Sequence, residues 1–412
     1  MFLEQFLRTL SAIVIGIWVA RYLGPDEFGL FSYVLAFTGM FRGVVKLGLD
    51  GILVRSLVNQ PKSHEWFLGT AFWLKVIGAT LIIVFIGILL SQTNHDQTTK
   101  LYILIVSFGF LFQSFEVVQF YFESKVLARI VIVCKIFQIV ISSLIKIILV
   151  MYEASLIWFV AVTLIDAVVL AITFMISYFS NKKGFVFYRY FDFNIAKKLL
   201  IDSWPLIIAS MSVYIFNHID KVMINHMLGA YETGIFTAGV KFSEAAGAIP
   251  LIIASSLFPA ILSSKNISSE LYYSRLQKFY AFMTWFALLI VFVMFVFADK
   301  LISLYGEEYD ESSSILRIYC FSLIFIFQWV ARGRWVLAEN LQYLTYKFMV
   351  LGALGNIILN NFLISEYGIY GAAYATLVTQ LLITLIIPLY DKRTRYATLM
   401  LYKSFYTWRT LK

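Results

Sequence analysis

The chain has 412 residues, of which 61% are hydrophobic and only 14% charged, with a mean hydropathy of +0.82. Soluble domains carry roughly 45–50% apolar and about 25% charged residues, so this composition excludes a soluble fold. The formal charge of +9 then needs an explanation that works in a membrane.

A bilayer-spanning helix needs about 20 mostly apolar residues, and short connectors leave room for twelve. In chain order the predicted spans are 6–21, 28–49, 66–90, 101–122, 130–151, 156–179, 204–226, 235–262, 279–297, 315–331, 346–364 and 369–390. Barrel strands would alternate apolar and polar residues, whereas 76–90 and 288–297 are apolar on every face. An all-α polytopic membrane protein is expected. No small-residue cleavage site leads from the first apolar stretch into a hydrophilic region, so that stretch is expected to remain as a helix. Cys134 and Cys320 both fall inside spans, which argues for inert core residues with no disulfide and no metal site.

Lys and Arg mark the cytoplasmic loops. Arg55, Lys62, Lys125, Arg129, Lys182, Lys183, Arg189, Lys197, Lys198, Lys265, Arg275, Lys278, Arg332, Arg334 and Lys347 occupy alternate connectors, and six more cations occupy the tail. The opposite loops hold only Arg21, Lys100, Lys300 and Arg317, together with acids such as Asp26, Glu27, Asp96, Glu232 and Glu307. Both termini are therefore expected in the cytoplasm. Retention of this kind, with attraction to anionic membrane lipids, explains the net charge and leaves no need for nucleic acid. The basic, aromatic stretch 391–412 reads as an interfacial tail.

The polar inside loop separates six spans from six, giving expected domains at 1–180 and 204–390 with a linker at 181–203. Leu-Gly-Pro-Asp-Glu-Phe-Gly-Leu-Phe at 23–31 returns as Leu-Gly-Ala-Tyr-Glu-Thr-Gly-Ile-Phe at 228–236. The repeat predicts a tight turn with glycine corners opening directly into a new helix. Six spans is an even number, so two six-helix lobes related by a pseudo-two-fold axis along the membrane normal are expected around a central cavity. Paired repeats of this kind place substrate near the midplane and work by rocking.

Ionisable residues inside spans cost about 2.5 kcal/mol upward and usually face a cavity or each other. The candidates are Arg8, Arg42, Lys46, Lys75, Glu116, Lys135, Lys146, Asp166, His218, Asp220, Lys221, Lys241 and Glu244. Cations outnumber acids, which favours an anionic ligand. Arg42 and Lys46 lie four apart, and Lys135 and Lys146 eleven apart, each pair on about one helix face. Snorkelling of Arg8, Arg42 and Lys46 to head groups is the plain alternative. Asp220 with Lys221, and Lys241 with Glu244, read as ion pairs locking helices together, or else as ion-coupling groups. Glu116 and Asp166 read as isolated acids able to carry protons. The four histidines show no metal spacing, and no phosphate loop, nucleophile elbow or large outside loop offers a place for catalysis.

The stretches 18–29 and 47–55, followed by Asp202-Ser203-Trp204-Pro205, Ile219-Asp220-Lys221-Val222, Ser256-Leu257-Phe258-Pro259, Leu304-Tyr305-Gly306-Glu307 and Tyr367-Gly368-Ile369-Tyr370-Gly371, resemble bacterial O-antigen and polysaccharide flippases. In order and spacing these stretches cover about residues 4–390. The resemblance implies the multidrug/oligosaccharidyl-lipid/polysaccharide exporter superfamily, with two six-helix lobes around a V-shaped cavity. It implies a substrate of undecaprenyl-pyrophosphate-linked oligosaccharide, flipped to the outer leaflet of a bacterial plasma (inner) membrane, and no cofactor. Arg8, Arg42, Lys46, Lys75, Lys135 and Lys146 would then neutralise the diphosphate. Asp50 and Arg55, in a family-like loop, suit gating or inside-loop structure better than substrate contact. Relatives usually carry residues before Leu3, which implies a late start and a short first helix here. Other polysaccharide-assembly proteins are conceivable partners on the cytoplasmic loops. Two rivals stay open: a cation-coupled drug exporter of the same superfamily, which should prefer acids in its cavity, and a membrane glycan polymerase or ligase, which should carry a larger outside loop.

Overall fold

A computed structural model describes residues 2–181 and 186–406, with side chains from residue 9 onward. Arg8 has a helical backbone but a side chain outside the described set, as are Lys182, Lys183, Arg409 and Lys412 altogether. Among the described residues there are helices and turns and no strand. The reason is the solvent: hydrocarbon offers no hydrogen bonds, so each segment must satisfy its backbone internally.

Among the described residues ten helical runs are long and apolar enough to cross a membrane. Two of them, Thr9–Asn59 and Gln342–Tyr390, each contain two of the predicted spans. A straight 49-residue helix would measure about 74 Å, more than twice the roughly 30 Å hydrocarbon core. The chain resolves this with glycine. Gly24 (φ 70°) and Gly368 (φ 58°) break the helices α1 (Phe2–Val45) and the later Gln342–Leu381 at the predicted junctions. A left-handed glycine reverses the chain without the steric cost that a Cβ would bring.

The chain forms two compact units. The first, residues 1–23 with 30–219, contains most of α1, then α2 (Asp50–Asn59), α3 (His64–Gln92), α4 (Gln97–Gln113), α5 (Val117–Ser124), α6 (Ala128–Met151), α7 (Leu156–Asn181) and the first part of α8 (Phe193–Leu228). Helix α7 packs on α4 and α6, and α3 on α4. One core cluster joins Leu53, Leu57, Phe67, Leu68, Val117, Phe122 and Tyr178 to Phe187.

Phe187 belongs to the expected linker, and its burial shows what that segment does. Its ring meets Phe72 at 5.6 Å and Tyr178 at 5.2 Å, both edge-on. Trp73 Nε1 donates to the Tyr188 carbonyl at 2.8 Å, and the Asp192 amide donates to Thr70 Oγ1 at 3.0 Å. The strap lies so close to α3 that a Cβ on Gly69 would come within 2.2 Å of the carbonyl oxygens of Phe187 and Tyr190. From Phe193 onward the chain is already helix α8.

The second unit is 24–29 with 220–412. It holds α9 (Ala230–Ala246), α10 (Ile249–Ser263), α11 (Ser269–Val296), α12 (Ala298–Ile302), α13 (Ser312–Tyr319), α14 (Ser322–Ala338), α15 (Gln342–Leu381), α16 (Ile387–Tyr390) and α17 (Lys392–Ser404). The two copies of the repeated turn meet here. Gly24 and Gly229, its first corners, both have positive φ. A Cβ on Gly29 would sit 1.8 Å from the Ala230 carbonyl, and one on the equivalent Gly234 would sit 2.1 Å from the Pro25 carbonyl. Each copy's second glycine makes room for the other copy's backbone.

Helix α17, within the expected tail, buries Thr394, Ala397, Thr398, Leu401 and Ser404. Ser404 Oγ lies 2.7 Å from Thr284 Oγ1 of α11, and Gln277 Nε2 donates to the Met400 carbonyl at 3.0 Å. Its exposed face carries Lys392, Arg393, Arg395 and Lys403.

Replacing Gly69 by Val should displace the strap and lower stability by about 1–3 kcal/mol, the range for overpacking. Gly87, with nothing within 4 Å of an added Cβ, serves as control. Thermal unfolding of purified Gly69→Val and Gly87→Ala checks this; equal midpoints for the two would refute the strap's tight docking.

Candidate functional site

Two breaks in helical geometry shape the first unit's interior. Helix α1 ends at Val45, and the turn to α2 puts Leu47 (φ 54°) and Gly48 (φ 57°) in the left-handed region. For leucine that conformation costs about 1 kcal/mol and persists only where the surroundings impose it. In the fourth predicted span, α4 stops at Gln113, a tighter turn covers Ser114–Glu116, and α5 resumes at Val117. Mid-helix turns of this type often mark functional positions.

The breaks open on a cavity of about 220 Å³ lined by Lys46, Asp50, Glu116, Gln119, Phe120, Lys135, Gln138, Ile139 and Leu170. Lys46 also sits over the Tyr214 ring, 5.8 Å from its centre. Asp50 Oδ1 is buried with no hydrogen-bond partner. Gln119 Nε2 donates to Glu123 Oε1 at 2.7 Å, which fixes that amide.

The predicted cations separate into groups. Lys46 and Lys135 reach the cavity. Lys75 is 2% exposed, 3.8 Å from Glu116 Oε2 and 5.2 Å from the centre of the Phe120 ring. Lys146 lies 3.8 Å from Asp166, which also accepts from Ser142 Oγ at 3.0 Å. Arg42 is exposed, with no carboxylate partner among the described residues. Glu116 and Asp166 are therefore not the isolated acids expected: each compensates a lysine on a neighbouring helix. Asp50, read as gating, lines the cavity, while Arg55 pairs with Asp202 at 3.7 Å on an exposed face.

The second unit corrects another pairing. Lys221 Nζ donates to Glu244 Oε1 at 2.7 Å, and Asp220 faces elsewhere. Adjacent residues on a helix point about 100° apart, so Asp220 and Lys221 cannot share a face. Lys241 is half-buried. Asp220 is buried and accepts from Asn360 Nδ2 at 2.6 Å and from Thr376 Oγ1. Asn360 Nδ2 also donates to Asn356 Oδ1 at 3.1 Å. Asn360 Oδ1 and Asn356 Nδ2 remain without partners. Oxygens from a carboxylate, two amides and a hydroxyl form a hard donor set suited to a small cation or a proton. Among the described residues no three or more His, Cys, Asp or Glu side chains cluster as a metal site.

Arg332, assigned by charge to an inside loop, is instead 2% exposed within α14. Its guanidinium donates to the carbonyls of Ile383 and Thr384, in a π-helical turn at Leu382–Ile386, and lies over the Trp329 and Phe348 rings. Gln119, Gln138, Asn356, Asn360 and Thr376 were missed as well; neutral polar side chains inside apolar spans, with Asn356 and Asn360 one turn apart, were the available signal.

Residues 18–314 match a family described as polysaccharide biosynthesis protein. The chain is 23% identical over 389 residues to the capsular polysaccharide biosynthesis protein CapF of Staphylococcus aureus, covering 92% of this chain and 94% of that protein. It is 26% identical over 387 residues to the probable low-salt glycan biosynthesis flippase Agl15 of Haloferax volcanii, covering 87% and 75%. Its fold is similar to that of a solved structure described as the lipid II flippase MurJ, inward closed conformation, with a TM-score of 0.74, 16% identity, and coverage of 98% of this chain and 89% of that one.

Breaking the Lys75 and Glu116 pair leaves a charge without its partner. Lys75→Met should destabilise by about 3 kcal/mol, and adding Glu116→Gln should recover most of the loss. Thermal midpoints of the single and double variants test this; a double variant no better than Lys75→Met would show that the lysine is not held by Glu116.

Proposed function

Because the chain belongs to the polysaccharide biosynthesis protein family, we propose that it is a flippase, a transporter and not an enzyme. Its cargo is an undecaprenyl-pyrophosphate-linked oligosaccharide, moved from the inner to the outer leaflet of a bacterial plasma membrane by alternating access, for O-antigen, capsule or exopolysaccharide assembly. Both termini lie in the cytoplasm, in keeping with the retained basic loops. The observation that carries this reading is the polar cavity of the first unit. Two lysines, two carboxylates and two glutamines gather there, and groups so costly in hydrocarbon mark substrate or ion pathways.

The diphosphate needs donors that are not already committed. Arg42 meets that requirement, and Arg8, in the first predicted span, joins it on sequence grounds. Lys75 and Lys146 act through the acids that hold them. Asp220, with Asn356, Asn360 and Thr376, is the coupling position, where a monovalent cation or a proton would satisfy the spare oxygen of Asn360.

Deletion of the gene in its host should abolish surface polymer while complete lipid-linked repeat units accumulate, and the wild-type chain should restore it. Intact polymer with altered drug sensitivity would overturn the flippase reading. Arg42→Ala should cut surface polymer about tenfold at unchanged protein level. Asp220→Asn in proteoliposomes should remove the response of transport to an imposed sodium or proton gradient; a response equal to wild type would refute the coupling role.

A further inference from the structure

We infer that the cavity of the first unit is a subsite for one neutral sugar ring of the cargo, a hexose or N-acetylhexosamine, and not the seat of the diphosphate. This rests on the flippase reading and narrows it. The lining carries both signs of charge, Lys46 and Lys135 with Asp50 and Glu116, the last of which also holds Lys75. A diphosphate placed there would face two carboxylates, and like charges brought together in a site cost several kcal/mol.

The hydrogen-bonding character points the same way. A diphosphate offers acceptors and cannot satisfy the buried, unpartnered Asp50 Oδ1. Each sugar hydroxyl both donates and accepts. The lining answers both needs: Lys46 and Lys135 donate, Asp50 and Glu116 accept, and Gln119 and Gln138 carry both functions. Phe120, Ile139 and Leu170 supply an apolar wall for the C–H face of a ring.

Size then limits the ligand. The volume of about 220 Å³ falls below the 300–1,000 Å³ typical of drug-sized ligands. That size suits one ring, with the rest of the glycan outside. The lining also comes from turns that the fold holds firmly. Gly48, beside Lys46, is pressed against Leu206, whose Cβ would lie 2.7 Å from an added Cβ. A rigid set of donors and acceptors distinguishes sugars by hydroxyl position, because a misplaced hydroxyl leaves a buried group unpaired.

The test uses full-length protein in nanodiscs and saturation-transfer NMR with methyl glucoside, methyl N-acetylglucosaminide, methyl glucuronide and inorganic pyrophosphate. Transfer to a neutral glycoside is expected, undiminished by pyrophosphate and at least fivefold weaker in Asp50→Asn and in Gln138→Leu at unchanged thermal midpoint. No transfer above empty nanodiscs, or displacement of the glycoside by pyrophosphate from the wild-type protein, would each overturn the subsite. Complementation separates the two levels of the argument. If wild type and Gln138→Leu restore surface polymer equally, the sugar subsite fails and the flippase stands; if wild type restores none, the flippase reading itself fails.

Discussion

An ionisable side chain in hydrocarbon must be met by a partner supplied by the protein, and that requirement organises the interior of both units. Lys75 meets Glu116, Lys146 meets Asp166, and Lys221 meets Glu244. Each pair ties together helices that hydrophobicity alone would let rotate, since lipid tails are as apolar as the side chains facing them. The pairs are spread through the bundle and not collected at one place. What is left after pairing is informative: an exposed arginine, a cavity lined by both signs of charge, and one buried carboxylate surrounded by amides and a hydroxyl.

Backbone proximity is the second organising device. Gly29 and Gly234 let two copies of one turn meet carbonyl against glycine, and Gly69 lets the strap at 186–192 lie on α3. Small residues allow this approach in membranes, where packing and hydrogen bonding replace the hydrophobic drive between helices. The strap also answers a burial problem. Phe72 of α3 and Tyr178 of α7 both meet Phe187, which covers them.

The sequence made the spans readable because hydrocarbon imposes length and polarity on them directly. The repeated turn was readable too, as Gly24 and Gly229 need positive φ and so leave a fixed residue type in a fixed place. Pairing was not readable. Lys75 and Glu116 belong to different helices, and hydropathy carries no information on how each helix is rotated about its axis. Asp220 and Lys221 misled for the opposite reason: neighbours in sequence diverge on a helix. Asn356, Asn360 and Thr376 escaped notice because neutral polar residues barely change the hydropathy of a span.

Arg332 shows how positive charge near a span end can be misread and why its true setting is stable. An α-helix commits one lone pair of each carbonyl to its own amides, so a buried guanidinium beside it competes for what is left. A π-helical turn loosens that commitment. In the turn Leu382–Ile386 the carbonyls of Ile383 and Thr384 accept from Arg332, and that of Leu385 accepts from Tyr402 at 3.3 Å. The Trp329 and Phe348 rings present their negative faces to the same cation. The irregular turn and the buried charge thus require each other. Tyr402 reaches the turn only because α17 folds back against α11, so the basic C-terminal stretch is part of the second unit's interior on one face and a charged surface on the other.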